Sequence, residues 1–321
     1  MNEQPIGRRT FLSGAAALTA SAALRAGEGR AQTPVPNSSG TEPAKVKAPA
    51  NATDCHMHIY DPRFAEVGPN RAKPNNATVQ DYRLLQKRTG TTRVVVVTPR
   101  NYATDNRVTV DALAQLGANA RGVAVVHPTI TDAELKALDA GGIRGIRFSL
   151  TAGADAVVTW DMVEPLSKRV AVLGWHLQFN LDGSQITERA ELLRRLPSQL
   201  VFDHMGHPTL PAGIEDRSFA VMRGLIDRGR TWIKLSGAYS NSKIGPPSYP
   251  EATAIAQAFV KAAPERMVWG SDWPHPGEQS KPVLPDDALL FDLLAVWAAD
   301  EATRRRILVE NPESLYGFAK G

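Results

Sequence analysis

The sequence predicts an α/β fold in which eight βα units close into a single barrel domain, with C-terminal helices covering it. Three observations carry this. Eight short runs rich in Val, Ile and aromatic residues recur along the chain. Helical stretches with start and stop signals lie between many of them, the signature of parallel βαβ units. The length beyond the N-terminal segment suits one barrel. An open doubly wound sheet is the alternative, but no GxGxxG follows the first run, which weakens a dinucleotide-binding reading.

The runs are TDCHMHI (53–59), RVVVVTP (93–99), RGVAVVH (121–127), IRGIRFSL (143–150), GWHLQFNL (174–181), LVFDHMG (200–206), TWIKLSG (231–237) and MVWGSDW (267–273). Helices are expected over 79–90, stopped by Gly90, and over 105–118, capped by Asp105. A third should run over 159–174, from a Thr cap to Gly174, and a fourth over 251–264. The tail from Asp286 to Phe318 reads as further helices over the barrel.

Hydrophobic residues make up 43% of the 321, enough for a sizeable core. The net charge of +4 comes from basic residues scattered along the chain rather than gathered in runs, so no nucleic-acid partner is expected. One cysteine, Cys55, excludes an internal disulfide. Residues 1–31 hold Arg8-Arg9, Phe11-Leu12, an Ala-rich run and Gly29-Arg30-Ala31 before Gln32. This is similar to a twin-arginine export signal, so the export machinery is an expected partner and the periplasm the expected location. Residues 32–50, rich in Pro, Ser and Thr, read as a linker or loosely attached arm. The barrel is assigned to 51–321.

In such a barrel, chemistry belongs to the C-terminal ends of the strands. His56 and His58, at i and i+2, share one strand face. Arg147 and Ser149 come from the fourth run, and His176, Gln178 and Asn180 from the fifth. The sixth ends in Asp203-His204, the seventh carries Lys234 and Ser236 with Tyr239 beyond, and the eighth ends in Ser271-Asp272-Trp273-Pro274-His275. So many polar groups are costly in a core unless they are satisfied or used. Singly, each has an ordinary explanation: a histidine satisfied in the core, an aspartate capping a helix, an arginine in a buried ion pair. Their joint order is the stronger signal.

TDCHMHIYDP, GIRGIRFSL, VFDHMGHP, KLSGAY, VWGSDWPHP and ENPESLYGF together resemble the amidohydrolase superfamily. The closer likeness is to its branch containing 2-pyrone-4,6-dicarboxylate lactonase, sugar-acid lactonases and a galactarolactone isomerase. It spans about Thr53 to Phe318 and implies a distorted TIM (β/α)8 barrel. In metal-dependent relatives the first-strand histidine pair, a strand-five histidine and the last-strand aspartate hold one divalent ion. Here the strand-five place holds Asn180, a poor transition-metal ligand, and His176 lies four residues deeper.

The resemblance therefore implies a metal-free hydrolase that opens a carboxylated or polyhydroxylated lactone, with a small-molecule lactone or organic acid as ligand. A single divalent metal such as zinc is the alternative. Asp272 is expected to be the general base, and His56, His58 and His204 to polarise the carbonyl. Arg147 would clamp a substrate carboxylate. Tyr102, Asn180, Lys234, Ser236 and Tyr239 are expected to orient substrate. His275 is expected to brace its loop, and His127 and His207 to be structural or at the rim. Competing readings are a lactone isomerase of the same branch, a metal-dependent decarboxylase, and a periplasmic binding protein on an inactive barrel. The sequence carries no signal for an oligomeric state.

Overall fold

Each of the eight runs forms a strand. They are β1 (Thr53–Met57), β2 (Arg93–Val97), β3 (Ala120–Ala124), β4 (Ile143–Ser149), β5 (His176–Asn180), β6 (Leu200–Phe202), β7 (Thr231–Leu235) and β8 (Met267–Trp269). The computed structural model describes residues 33–68, 73–74, 76–151 and 156–320. The strands form one sheet in the order β1 to β8, and every neighbouring pair is parallel. Between strands run α1 (Val79–Thr89), α2 (Arg107–Leu116), α3 (Asp132–Ala140), α4 (Trp160–Ala171), α5 (Gly183–Glu188), α6 (Ala190–Arg195), α7 (Arg217–Ile226) and α8 (Pro250–Ala262). Then follow α9 (Asp287–Asp292), α10 (Leu294–Trp297), α11 (Glu301–Arg305) and α12 (Asn311–Tyr316). The fold is the nearly closed (β/α)8 barrel that the alternation predicts. Among the described residues, no helix is long and apolar enough to cross a membrane.

Local chemistry explains the helix limits. Thr78 caps α1 reciprocally with Asp81, and Gly90 ends it in the left-handed conformation. Two caps differ from expectation. Asp105 does not cap α2; it pairs with Arg107, and the helix starts two residues later than predicted. Thr159 binds the Asp161 carboxylate instead of a backbone N–H of α4, which ends at Ala171.

The core has two parts. The larger apolar cluster includes Met57, Val94, Val96, Phe148, Phe179, Phe202, Ile233 and Trp269 together with helix residues such as Leu85, Val163 and Phe259. The smaller one joins Cys55, Val95, Val97, Val123, Val201, Trp232 and Val268 to Leu315, Tyr316 and Phe318. Arg93 and Arg121, at the N-terminal ends of β2 and β3, bind carbonyls of Ala319 and Gly317. The C-terminal tail thus covers the strands' N-terminal ends, leaving the opposite ends for the site.

The seam between β8 and β1 is closed by the chain leaving β8. Asp272 N–H donates to the His56 carbonyl, and His58 N–H donates to the Trp273 carbonyl, each at 2.8 Å. Gly270 is needed there, because a Cβ on it would stand 2.6 Å from that of His56. The Asp54 carboxylate accepts from Ser271 N at 2.9 Å, Ser271 Oγ at 2.6 Å and Tyr82 OH at 3.1 Å.

Residues 33–50 form no helix or strand, yet they lie against the barrel. Val35 is buried, and the Pro36 carbonyl accepts from Trp273 Nε1 at 2.8 Å. Buried Arg88 of α1 binds the carbonyls of Ser39 and Glu42, each at 2.8 Å, and pairs with Asp286 at 2.7 Å. Lys45 N and Val46 N both donate to Asp292 of α9. The predicted signal, 1–31, lies outside the described residues. Arg88→Ala should lower the unfolding free energy by roughly 3 kcal/mol, because Asp286 and two arm carbonyls lose a buried partner. The shift in urea midpoint measures this; a change below about 0.5 kcal/mol would mean that the Arg88 contacts to the arm contribute nothing to stability.

Candidate active site

At the C-terminal ends of the strands lies a cavity of about 520 Å³, open to solvent on one side. His58, His204 and Asp272 line it together with Arg147, Asn180 and Tyr239. These come from six places on the barrel, so the closed ring of strands is what gathers them.

His56, on β1, is fully buried just beneath the cavity, and His58 follows the end of that strand. Their Nε2 atoms are 3.2 Å apart. Asp272 stands just after β8 with φ +61°, an unusual backbone for a non-glycine residue. Its Oδ1 is 3.5 Å from Nε2 of His56, 3.5 Å from Nε2 of His58 and 3.8 Å from Nε2 of His204. Its Oδ2 accepts from Tyr239 OH at 2.6 Å. His204 also has positive φ, +48°, which turns its ring toward this group. Gly237 leaves room for that ring, since a Cβ there would lie 2.8 Å from His204 Nδ1.

Burial alone would raise the Asp272 carboxyl, but the histidines around it, His204 foremost, hold it well below the usual carboxylate range. Burial lowers His56 well below the ordinary histidine value, with the Lys234 charge acting the same way. Burial likewise lowers His204, although Asp272 and Asp203 oppose it. The arrangement near neutral pH is an ionised carboxylate beside the neutral rings of His56 and His204. The tautomers of two rings follow from their back faces. His58 Nδ1 lies 2.8 Å from the Val97 carbonyl and so carries the hydrogen there. His56 Nδ1 lies 3.2 Å from the Lys234 ammonium and so accepts, leaving its hydrogen on Nε2. Asp203 Oδ1 is also 3.1 Å from that Nδ1, but off the line of an N–H bond, and it accepts no hydrogen bond.

Several residues expected to touch substrate do not line the cavity. Lys234 is fully buried behind His56, bonded to Gln178 Oε1 at 2.6 Å. Ser236 is buried behind His204, its hydroxyl 2.9 Å from Nδ1. Tyr102 is buried with its hydroxyl held by the backbone N–H and carbonyl of Asp61. Lys234 and Ser236 support the rings; Tyr102 fastens a loop. Asn180 does reach the cavity and donates to Ser149 Oγ at 3.1 Å. Arg147 also reaches it while its Nε binds Asp203 at 2.9 Å. Tyr239 lies at the wall, with its hydroxyl committed to Asp272.

Other lining residues were not singled out in the sequence. Arg100 and Asn101, on the loop after β2, stand in the wall, and so do Tyr60 and Asp182. The sequence marks Tyr102 on this loop as a substrate-orienting residue, but no feature marks which of its side chains turn inward. His207 lines the cavity, 5.5 Å ring to ring from His204. His127 is exposed, outside the lining. His275 is buried beneath Tyr239.

His56, His204 and Asp272 each offer one donor atom within 4.8 Å of the others, a set able to hold a metal ion. The C-terminal end of β5 adds no histidine to that set. Asn180 stands there, and His176 is buried with neither ring nitrogen hydrogen-bonded, its ring against Tyr316.

Comparison with known proteins agrees with the barrel fold. A family model described as Amidohydrolase matches residues 53–318. The chain is 33% identical over 282 residues to 2-pyrone-4,6-dicarboxylate hydrolase of Comamonas testosteroni, covering 85% of this chain and 92% of that protein. It is also 33% identical over 281 residues to D-galactarolactone isomerase of Agrobacterium fabrum, covering 87% and 94%. Among solved structures, the apo crystal structure of an Agrobacterium tumefaciens protein superposes with a TM-score of 0.81 at 30% identity, covering 89% of this chain and 99% of that one. With the family model spanning the whole barrel and these relatives covered almost end to end, the chain belongs to the amidohydrolase family.

Proposed function

We propose that this protein is a hydrolase that opens a carboxylated lactone by attack of water, without a divalent metal. The observation that carries the reading is the single Asp272 oxygen facing three imidazole Nε2 atoms at 3.5–3.8 Å beside the cavity. An ionised carboxylate there can take a proton from water as the water attacks the lactone carbonyl. The Nε2–H of His204, which lines the cavity, would stabilise the oxyanion with the Ser236 hydroxyl donating to its Nδ1, while the buried His56 N–H meets His58 from beneath. Collapse breaks the ring C–O bond, and the departing alkoxide recovers the proton from Asp272. Net addition of water yields a carboxylic acid, which releases one proton near neutral pH.

Arg147 and Arg100 in the cavity wall support a substrate that carries a carboxylate besides the lactone. The two curated relatives, one a hydrolase and one an isomerase of lactone-type substrates by name, fit the same class of ring. Isomerisation is the second reading. It needs a substrate hydroxyl in place of the attacking water and uses the same base.

Two features support the metal-free reading. Asn180 occupies the strand-five position, and the Lys234 ammonium touches the back of His56 at 3.2 Å. The Arg147 and Lys234 cations already balance the Asp203 and Asp272 carboxylates. A divalent ion bound at His56 would face Lys234 across one ring with its charge uncompensated. We also propose export to the periplasm, supported by Arg8-Arg9 and the small-residue site before Gln32.

The test is proton release across a panel of pyrone carboxylates and sugar-acid lactones, with and without chelator. Turnover unchanged by chelator is expected, and loss of turnover on chelation would reject the metal-free reading. Asp272→Asn should keep less than about a tenth of the wild-type kcat on the best substrate. Arg147→Gln should raise KM about ten-fold for carboxylated lactones and much less for neutral ones; equal effects on both would reject the clamp.

Burial pushes Lys234 down to about 8, with Asp203 partly opposing. The ammonium that fixes the His56 tautomer is therefore present below that pH and lost above it. The kcat/KM profile should fall on its alkaline side with a midpoint near 8, and Lys234→Met should lower activity and remove that limb. A wild-type profile flat from pH 7 to 9 would contradict this role for Lys234.

A further inference from the structure

Behind Asp272 a row of buried groups runs away from the cavity. Tyr239 OH is 2.6 Å from Asp272 Oδ2 and 3.1 Å from His275 Nδ1. His275 Nε2 is in turn 3.1 Å from Asp287 Oδ2. His275 and Asp287 are fully buried and outside the cavity lining. Asp287 is the first residue of α9, and its backbone N–H donates to Ser38 of the N-terminal arm at 3.3 Å.

Counting hydrogens along the row fixes its polarity. A phenol has one hydrogen, and ionised Asp272 can only accept, so the Tyr239 hydrogen points at Asp272. The Tyr239 oxygen must then accept from His275 Nδ1–H. A bare Nε2 facing the Asp287 carboxylate would set a lone pair against an anion at 3.1 Å, so a second hydrogen belongs there. Burial alone would lower His275, but the charge and hydrogen bond of Asp287 outweigh it and raise the ring above the ordinary histidine value. Asp272 and Glu278 act on the ring in the same direction.

We infer that Asp287, His275 and Tyr239 form a positioning relay in which a doubly protonated His275 locks the Tyr239 hydroxyl as a donor to Asp272. The relay occupies Oδ2 and so leaves Oδ1 as the oxygen that meets the histidines and the attacking water. His275 and Asp287 touch no substrate and act through Tyr239. The kinetic consequence rests on the proposed role of Asp272 as base, whereas the protonation pattern does not.

The first experiment is nitrogen NMR of histidine-labelled full-length protein at neutral pH, with the His275 signals assigned by their loss in His275→Asn. Both His275 ring nitrogens should carry hydrogen in the wild type, and one should lose it in Asp287→Asn. One bare nitrogen in the wild type would overturn the relay whether or not any lactone is turned over. The second is a double-mutant cycle on the best lactone substrate, with thermal melting to confirm folding. Tyr239→Phe and His275→Asn should each lower kcat about ten-fold with KM changed less than two-fold, and the double variant should be no slower than Tyr239→Phe alone. Multiplied losses would overturn the relay as the route by which His275 acts. If His275→Asn does not fold, Asp287→Asn takes its place in the cycle with the same expectation. A wild type inactive on every lactone, with both nitrogens protonated, would reject the lactone reading and leave the relay's geometry standing.

Discussion

The Asp54 carboxylate is the constraint on which the site depends. It is buried on β1 and accepts hydrogen bonds from Ser271 N and Oγ, from Tyr82 and from the His56 N–H. Burial pushes this carboxyl up to about 6, although the same hydrogen bonds pull it back. They tie the exit of β8 to the first strand. Only with that seam closed does Asp272, from the last strand, stand beside His56 and His58, from the first. The positive φ of Asp272 is a local cost that the surrounding contacts hold in place.

Around that seam the polar groups fall into two layers. The upper layer meets the cavity: His58, His204, Asp272, Arg147 and Asn180. The lower layer sets the state of the upper one. Lys234 and Gln178 bond to each other while Lys234 fixes the His56 tautomer, and Arg147 and Gln178 both donate to Asp203. Ser236 backs His204, and Tyr239 backs Asp272. A neutral donor ring beside an ionised base suits acyl chemistry, because the donors are already oriented where negative charge develops.

Much of this frame was legible in the sequence. The strands were visible because parallel strands buried on both faces read as short apolar runs, and RVVVV of β2 is the clearest. His56 and His58 were visible because a strand alternates its side chains with period two. What the sequence does not encode locally is which way a hydroxyl or ammonium turns. Tyr102 looks like a loop residue facing substrate, but the Asp61 backbone captures it. Lys234 sits on an inward-facing strand position, yet its depth along β7 places it behind His56 rather than in the cavity. The arm of residues 33–50 has the composition of a linker, and only the long-range partners Arg88 and Asp292 dock it. His275 and Asp287, twelve residues apart, form a pair that no motif announces.

The claim at the centre of this account is that water, activated at Asp272, attacks a lactone carbonyl. Running the reaction in water enriched in oxygen-18 and weighing the product by mass spectrometry tests it directly. One solvent oxygen per turnover is expected, located in the newly formed carboxylate. A product isomeric with the substrate and free of solvent oxygen would contradict it, because the acyl group would then have passed to a substrate hydroxyl instead of to water.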